Sequence, residues 1–159
     1  MDDAEDIFNG YARDPEVTRF LPWTPHSSLA DTRAFLRECL DHWHGKSRFP
    51  WTMTLGPDGF SIGMIELRLL GHMGDVGYVL SRAHWGKGFM TEALTAVVDA
   101  TLELDGVYRV SAVCDVDNLA SARVMEKAGM QREGVLRRFL QHSAVSAEPR
   151  DAYCYAKIR

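Results

Sequence analysis

The chain is poor in the features that mark specialised classes of protein. It has three cysteines in 159 residues, Cys39, Cys114 and Cys154, widely spaced and with no C-x-x-C pair. That excludes a disulfide-framed scaffold and a zinc-ribbon site, so no metal is expected, and it leaves buried thiols in a reducing compartment. No apolar run approaches the roughly 20 residues needed to cross a bilayer. The acidic opening Met1-Asp2-Asp3-Ala4-Glu5-Asp6 lacks the apolar centre of a signal peptide. An excess of positive charge is also missing: 18 Lys+Arg stand against 22 Asp+Glu, a net charge of −4. Bulk nucleic-acid and anionic-membrane partners need the opposite sign, although a local anion site remains open. There is no internal repeat and no low-complexity tract. These absences read as a soluble, cytoplasmic protein.

The composition that remains, 46% hydrophobic and 25% charged, is that of a globular chain. The length fits one domain over 1–159, which buries roughly 70% of its unfolded surface without disulfides or metal. A short helix is expected over residues 3–12, ending before Asp14-Pro15. Leu21-Pro22-Trp23-Thr24-Pro25-His26 is an extended loop, because two prolines bar a helix. Ser28…Asp31 is a helix start signal. The helix it opens runs to about His44 with an apolar stripe of Phe35, Leu36, Cys39, Leu40 and Trp43, and Gly45 and Pro50 end it.

Strands are expected at Trp51–Leu55 and Ser61–Leu70, joined by the turn Gly56-Pro57-Asp58-Gly59. In the second, Ile65, Leu67 and Leu69 share one face and Met64, Glu66 and Arg68 the other. A third strand covers Asp75–Leu80. A helix from about Met90 to Leu104 carries apolar residues at the helical period. Then follow a strand at Tyr108–Cys114, a helix from Asn118 to Ala128 stopped by Gly129, and strands at Met130–Leu140 and Ala152–Ile158. This order argues for an α/β or α+β fold with helices packed on a single sheet.

Residues 75–94 form a strand, a glycine-bearing loop and a helix. Helix N-termini leave amide donors unpaired and carry positive partial charge. Gly86 and Gly88 allow close backbone approach and positive φ, so the segment suits a phosphate cradle. Arg82, His84 and Lys87 surround it, and no acid occurs between Ser81 and Met90. The spacing fits neither a P-loop nor a dinucleotide fingerprint.

Two motifs carry a family resemblance. Gly77-Tyr78-Val79-Leu80 followed by Trp85-Gly86-Lys87-Gly88-Phe89-Met90-Thr91-Glu92-Ala93 resembles the acetyl-CoA pyrophosphate loop of GNAT-superfamily N-acetyltransferases. Asp117-Asn118-Leu119-Ala120-Ser121, continued by Glu126-Lys127-Ala128-Gly129-Met130, resembles a second segment of the same branch, that of the ribosomal-protein N-terminal alanine and serine acetyltransferases. The resemblance covers about residues 10–158. It departs at Trp85, where the wider superfamily often has Gln or Arg, and at Met90, a bulky side chain that must point away from the phosphates. The chain opens near the family's first helix, so the family's first strand is missing or short.

The resemblance implies a mixed, mostly antiparallel twisted sheet with helices on both faces. It also implies direct transfer of acetyl from acetyl-CoA to a primary amine within a ternary complex. The cofactor-binding residues it implies are Tyr78, Val79, Leu80, Trp85, Gly86, Lys87, Gly88, Phe89, Met90, Thr91, Asn118 and Ser121. A free amide of Val79 or Leu80 would polarise the thioester carbonyl. Ser121 would donate to the coenzyme sulfur, Glu66 on the polar strand face would be the base, and Asn118 would both cap its helix and touch the coenzyme. Trp23, His26, Phe49 and Trp51 are candidates for the acceptor side, and Arg123 and Lys127 for the coenzyme phosphates. An α-amine, with a reference pKa near 7.7–8.0, is partly neutral at pH 7, whereas a lysine side chain near 10.4 is not. A protein or peptide N-terminus is therefore the leading acceptor. A small amine such as an amino acid, polyamine or drug is the alternative, and a non-catalytic acetyl-CoA-binding module is a third reading. Monomer and homodimer stay equally open.

Overall fold

A computed structural model describes residues 3–56, 59–142 and 144–159. The centre of the expected turn, Pro57-Asp58, lies outside the described residues. Five helical segments and six strands follow in chain order: α1 Ala4–Ile7, α2 Pro15–Thr18, α3 Leu29–His44, β1 Arg48–Thr54, β2 Ser61–Leu70, β3 Met73–Leu80, α4 Phe89–Leu102, β4 Arg109–Asp115, α5 Leu119–Lys127, β5 Gln131–Leu140 and β6 Arg150–Ile158. The chain's first described element is a helix. The α1 helix continues as a wider π turn over Phe8–Ala12, which buries Tyr11 and Ala12.

The strands form one sheet in the order β1-β2-β3-β4-β6-β5. Among the described residues only β3 and β4 pair in parallel; every other neighbouring pair is antiparallel. Strand alternation sends β2 side chains to two cores. Ile65 and Leu67 join Leu94, Val98, Val110 and Met125 under α4 and α5. Met64 joins Ile7, Tyr11, Ala12 and Cys39 under α1 and α3. Helices thus cover both faces of a mixed, mostly antiparallel sheet.

Three boundaries differ from the sequence reading for physical reasons. β1 begins at Arg48, not Trp51, and includes Pro50. A proline is tolerated there because β1 is an edge strand whose outer side needs no donor. The α3 stripe runs out before its end: Leu40 and Trp43 are exposed by 51% and 38%. Trp43 turns instead to the sheet edge, with ring centroids 5.0 Å from Phe49 and 5.6 Å from Trp51, and its indole N–H donates to the Pro50 carbonyl at 2.9 Å. Finally, α2 was not expected. Asp14, read only as a stop, caps a new turn by accepting the Glu16 amide at 2.9 Å, with Pro15 at the first helical position.

Candidate active site

The site begins where two strands separate. β3 and β4 pair only over Met73–Asp75 and Arg109–Ser111. Beyond Asp75, β3 keeps β2 on one side and has no partner strand on the other. Ser81 donates its amide to the Ile62 carbonyl on β2 at 2.8 Å. Backbone groups alternate sides along an antiparallel strand. Tyr78 and Leu80 therefore turn their amides to the open edge, and Val79 turns its amide to β2.

The loop after Leu80 makes one short 3₁₀ turn, Arg82–His84, then uses both glycines as expected. Gly86 and Gly88 adopt φ of +73° and +88°, a left-handed region that costs other residues energy. Gly88 precedes α4 without a side-chain cap, so the first-turn amides of that helix stay available. Trp85 fixes the loop by donating its indole N–H to the Leu80 carbonyl at 2.7 Å. Met90 is buried among Leu94 and Val98.

Across the gap, α5 presents the second motif. Asn118 Oδ1 accepts the Ser121 amide at 3.2 Å, which is the cap expected of it. Ser121 Oγ lies 2.7 Å from the Tyr78 phenol oxygen. The start of α5 is held by groups the sequence reading missed. Buried Asp115 accepts the Asp117 amide at 2.9 Å and two bonds from Arg150, at 2.6 and 3.0 Å. Burial alone would raise the Asp115 pKa, but Arg150 and the Asp117 amide together outweigh it and the carboxyl is held below its ordinary value. His142 packs beside Asp115 and places Nδ1 3.3 Å from the Leu21 carbonyl.

These elements enclose a cleft of about 620 Å³, within the usual size range of cofactor sites. It brings together Tyr78, Val79, Leu80, Trp85, Gly86, Gly88, Met90, Thr91, Asn118 and Ser121. Lys87 and Phe89 are not among its lining residues, and neither is Glu66. The local charge differs from its sequence pattern. Arg82 pairs with Asp14, the cap of α2, at 3.3 Å, while Glu16, Arg19, Asp117, Arg123 and Lys127 reach the cleft from elements distant in sequence.

A smaller cavity of about 170 Å³ meets the cleft at Leu21, Tyr78 and Val79. Trp23, His26 and Phe35 form its aromatic wall, and Arg48, Glu66 and Arg68 its polar side. Phe49 and Trp51 lie elsewhere, at the β1 edge. Both Glu66 oxygens accept from Arg48, and Arg68 donates to Asp75 at 2.8 Å. His26 Nδ1 is hydrogen-bonded to Thr32 Oγ1 at 2.8 Å. Burial holds the His26 pKa below its ordinary value, with the Asp31 charge acting in the other direction.

The family model of the acetyltransferase (GNAT) domain matches residues 1–131. The chain belongs to the GNAT acetyltransferases. It is 29% identical to the uncharacterized N-acetyltransferase YoaA of Bacillus subtilis (strain 168), over 99% of this chain and 88% of that protein. It is 30% identical to the uncharacterized N-acetyltransferase p20 of Bacillus licheniformis, over 86% and 78%. The crystal structure of a GNAT-family acetyltransferase from Bacillus anthracis superposes with a TM-score of 0.84 at 26% identity, covering 99% of this chain and 89% of that one. The same fold, at lower identity, is found in two further enzymes. One is a ribosomal L7/L12 alpha-N-protein acetyltransferase in complex with coenzyme A (TM-score 0.85, 18%, covering 99% and 89%). The other is a Vibrio cholerae spermidine N-acetyltransferase with CoA and spermine (0.79, 16%, 99% and 90%).

This GNAT protein is an acetyl-CoA-dependent acetyltransferase, and its cleft fits that cosubstrate. The open β3 edge carries backbone groups without a strand partner, the arrangement that strand addition uses. The glycine loop and the first turn of α4 offer amides to a pyrophosphate.

Proposed function

We propose that the chain acetylates an acceptor bearing a single α-amine, with a peptide or protein N-terminus favoured over a polyamine. The observation that carries this reading is the smaller cavity. At about 170 Å³ it lies below the range of drug-sized sites, so it takes one residue-sized group. Its one lining carboxylate, Glu66, is already paired with Arg48, and Arg68 adds a second guanidinium. A polycation needs several free carboxylates, because buried like charges without partners are costly. The aromatic wall of Trp23, His26 and Phe35 suits an apolar or small side chain beside the amine.

The thioester supplies an activated acetyl group, and the residues of the chain supply the rest. The amide of Leu80, turned to the open edge, polarises the carbonyl oxygen. Ser121 donates a hydrogen bond toward the sulfur. Glu66, held by Arg48 on both oxygens, is a weak base that takes the amine proton through water, and a partly neutral α-amine asks little of it. Asn118 keeps Ser121 in place through the helix cap. Lys87 and Phe89 flank the pyrophosphate loop, with Arg123 and Lys127 supplying cations.

Thiol release from acetyl-CoA, measured with N-terminal peptides, free amino acids and spermine, tests the reading. Peptides or amino acids should be turned over with kcat/KM at least about tenfold above spermine, the factor for 1.4 kcal/mol of preference. Faster turnover of spermine would overturn the single-amine reading. Coenzyme binding without turnover of any acceptor would favour a binding module.

A further inference from the structure

Tyr78 lines both the coenzyme cleft and the acceptor cavity, and its side chain does more than fill the seam. From β3 the phenol crosses the gap to α5. There it lies 2.7 Å from Ser121 Oγ and 3.2 Å from the Ser121 carbonyl oxygen. The pair has two protons and two arrangements. If Tyr78 donates to the carbonyl, it accepts from Ser121, and the serine proton is consumed within the protein. If Tyr78 donates to Oγ, the serine proton turns out of the pair, either to the buried Cys114 sulfur beside it or into the cleft, where a bound coenzyme sulfur competes for it. The Oγ contact of 2.7 Å serves either arrangement, but the Ser121 carbonyl at 3.2 Å is the more distant acceptor for the phenol proton, and hydroxyls in series polarise one another.

We propose that the Tyr78 phenol is a positioning residue: it donates to Ser121 Oγ and thereby directs the serine proton at the coenzyme sulfur. This rests on the reading of Ser121 as the donor to sulfur. In the transfer the C–N bond forms as the C–S bond breaks. The amine proton leaves through Glu66 or solvent, and the sulfur departs as a thiolate whose charge the Ser121 hydrogen bond offsets. Both hydroxyls keep their protons, so no acid has to be regenerated. Burial supports this, since it raises the Tyr78 pKa and keeps the phenol protonated throughout the working pH range.

Four proteins test the proposal: wild type, Tyr78→Phe, Ser121→Ala and the double variant, each checked for folding by thermal melting. Tyr78→Phe should lower kcat about tenfold, the scale of one hydrogen bond, with the KM for acetyl-CoA unchanged. The double variant should be no slower than Ser121→Ala, because the tyrosine acts through the serine. A second measurement needs no turnover. Coenzyme A and desulfo-coenzyme A affinities are determined by calorimetry from pH 7 to 10, where the bound thiol ionises. Tyr78→Phe should weaken only coenzyme A, and only at the alkaline end, by about tenfold. Equal losses for both ligands, unchanged coenzyme A binding, or multiplicative losses of kcat in the double variant would each overturn it. If the wild type turns over no acceptor, the functional reading fails, while the calorimetry still decides the role of the pair.

Discussion

His26 shows how much a single residue depends on surroundings that its sequence position does not reveal. Its ring lies 5.1 Å from Trp23 and 5.9 Å from Phe35, and burial is the larger influence on its pKa, with the Asp31 charge acting in the other direction. The folded pKa therefore lies below the unfolded value near 6.5. Between the two values the unfolded chain binds more protons, so stability falls as pH drops through that window. Urea unfolding at pH 7.0 and 5.5 should show wild type losing more stability than His26→Gln; equal losses would remove His26 as the cause. Asn118 and Ser121 were legible from the sequence because cap and motif are local. The pairing of Glu66 with Arg48 was not. Those residues are 18 apart and meet only through the diagonal geometry of β1 on β2. The same holds for Lys87: its neighbours in sequence suggest a cradle cation, yet the cations that reach the cleft, Arg19, Arg123 and Lys127, come from α5 and the chain just beyond α2.

At the scale of elements, the strand–loop–helix unit from β3 to α4 was readable to within a few residues. Glycine, helix period and strand alternation are all local constraints. The unit also makes a sharp prediction. Gly88 has φ of +88°, where a β-branched side chain is strained by about 1–3 kcal/mol. Gly88→Val should weaken coenzyme A binding by about tenfold or more, as the loop amides leave their positions. Calorimetry checks it, and unaltered affinity would sink the cradle assignment. The α2 turn is the instructive miss. Asp14-Pro15 ends one helix and starts another, and a proline is read correctly in either role. What decides is that Asp14 caps the Glu16 amide while Thr18 is buried and donates back to the Asp14 carbonyl.

For the molecule as a whole, the cluster around Asp115 ties distant parts of the chain to one site. It joins the end of β4 to the start of α5, to Arg150 on β6 and, through His142, to the Leu21 carbonyl. Leu21 borders both cavities. Asp115→Ala would leave Arg150 without its main partner and the α5 start unbraced. Arg150 keeps Asp117 and stays partly open to solvent, so the loss is that of charge-assisted hydrogen bonds, about 1.5–3 kcal/mol, and it should appear in the urea midpoint. Coenzyme binding should weaken with it. A loss below about 1 kcal/mol would show that water replaces the carboxylate and that the cluster does not hold the site. No helix among the described residues is long and apolar enough to cross a membrane.

By itself the sequence determined most of the elements, the two motifs and the family they resemble, because caps, turns and periodic apolar faces act over a few residues. It also determined that any anion site had to be local, since the net charge of −4 opposes a general one. Tertiary structure decided what those motifs face. The divergence of β3 from β4 beyond Asp75, the Tyr78–Ser121 contact 43 residues apart and the pairing of Glu66 with Arg48 in the smaller cavity all depend on which strands become neighbours. Sheet order is set by the packing of both helical layers at once, and no window of sequence contains it.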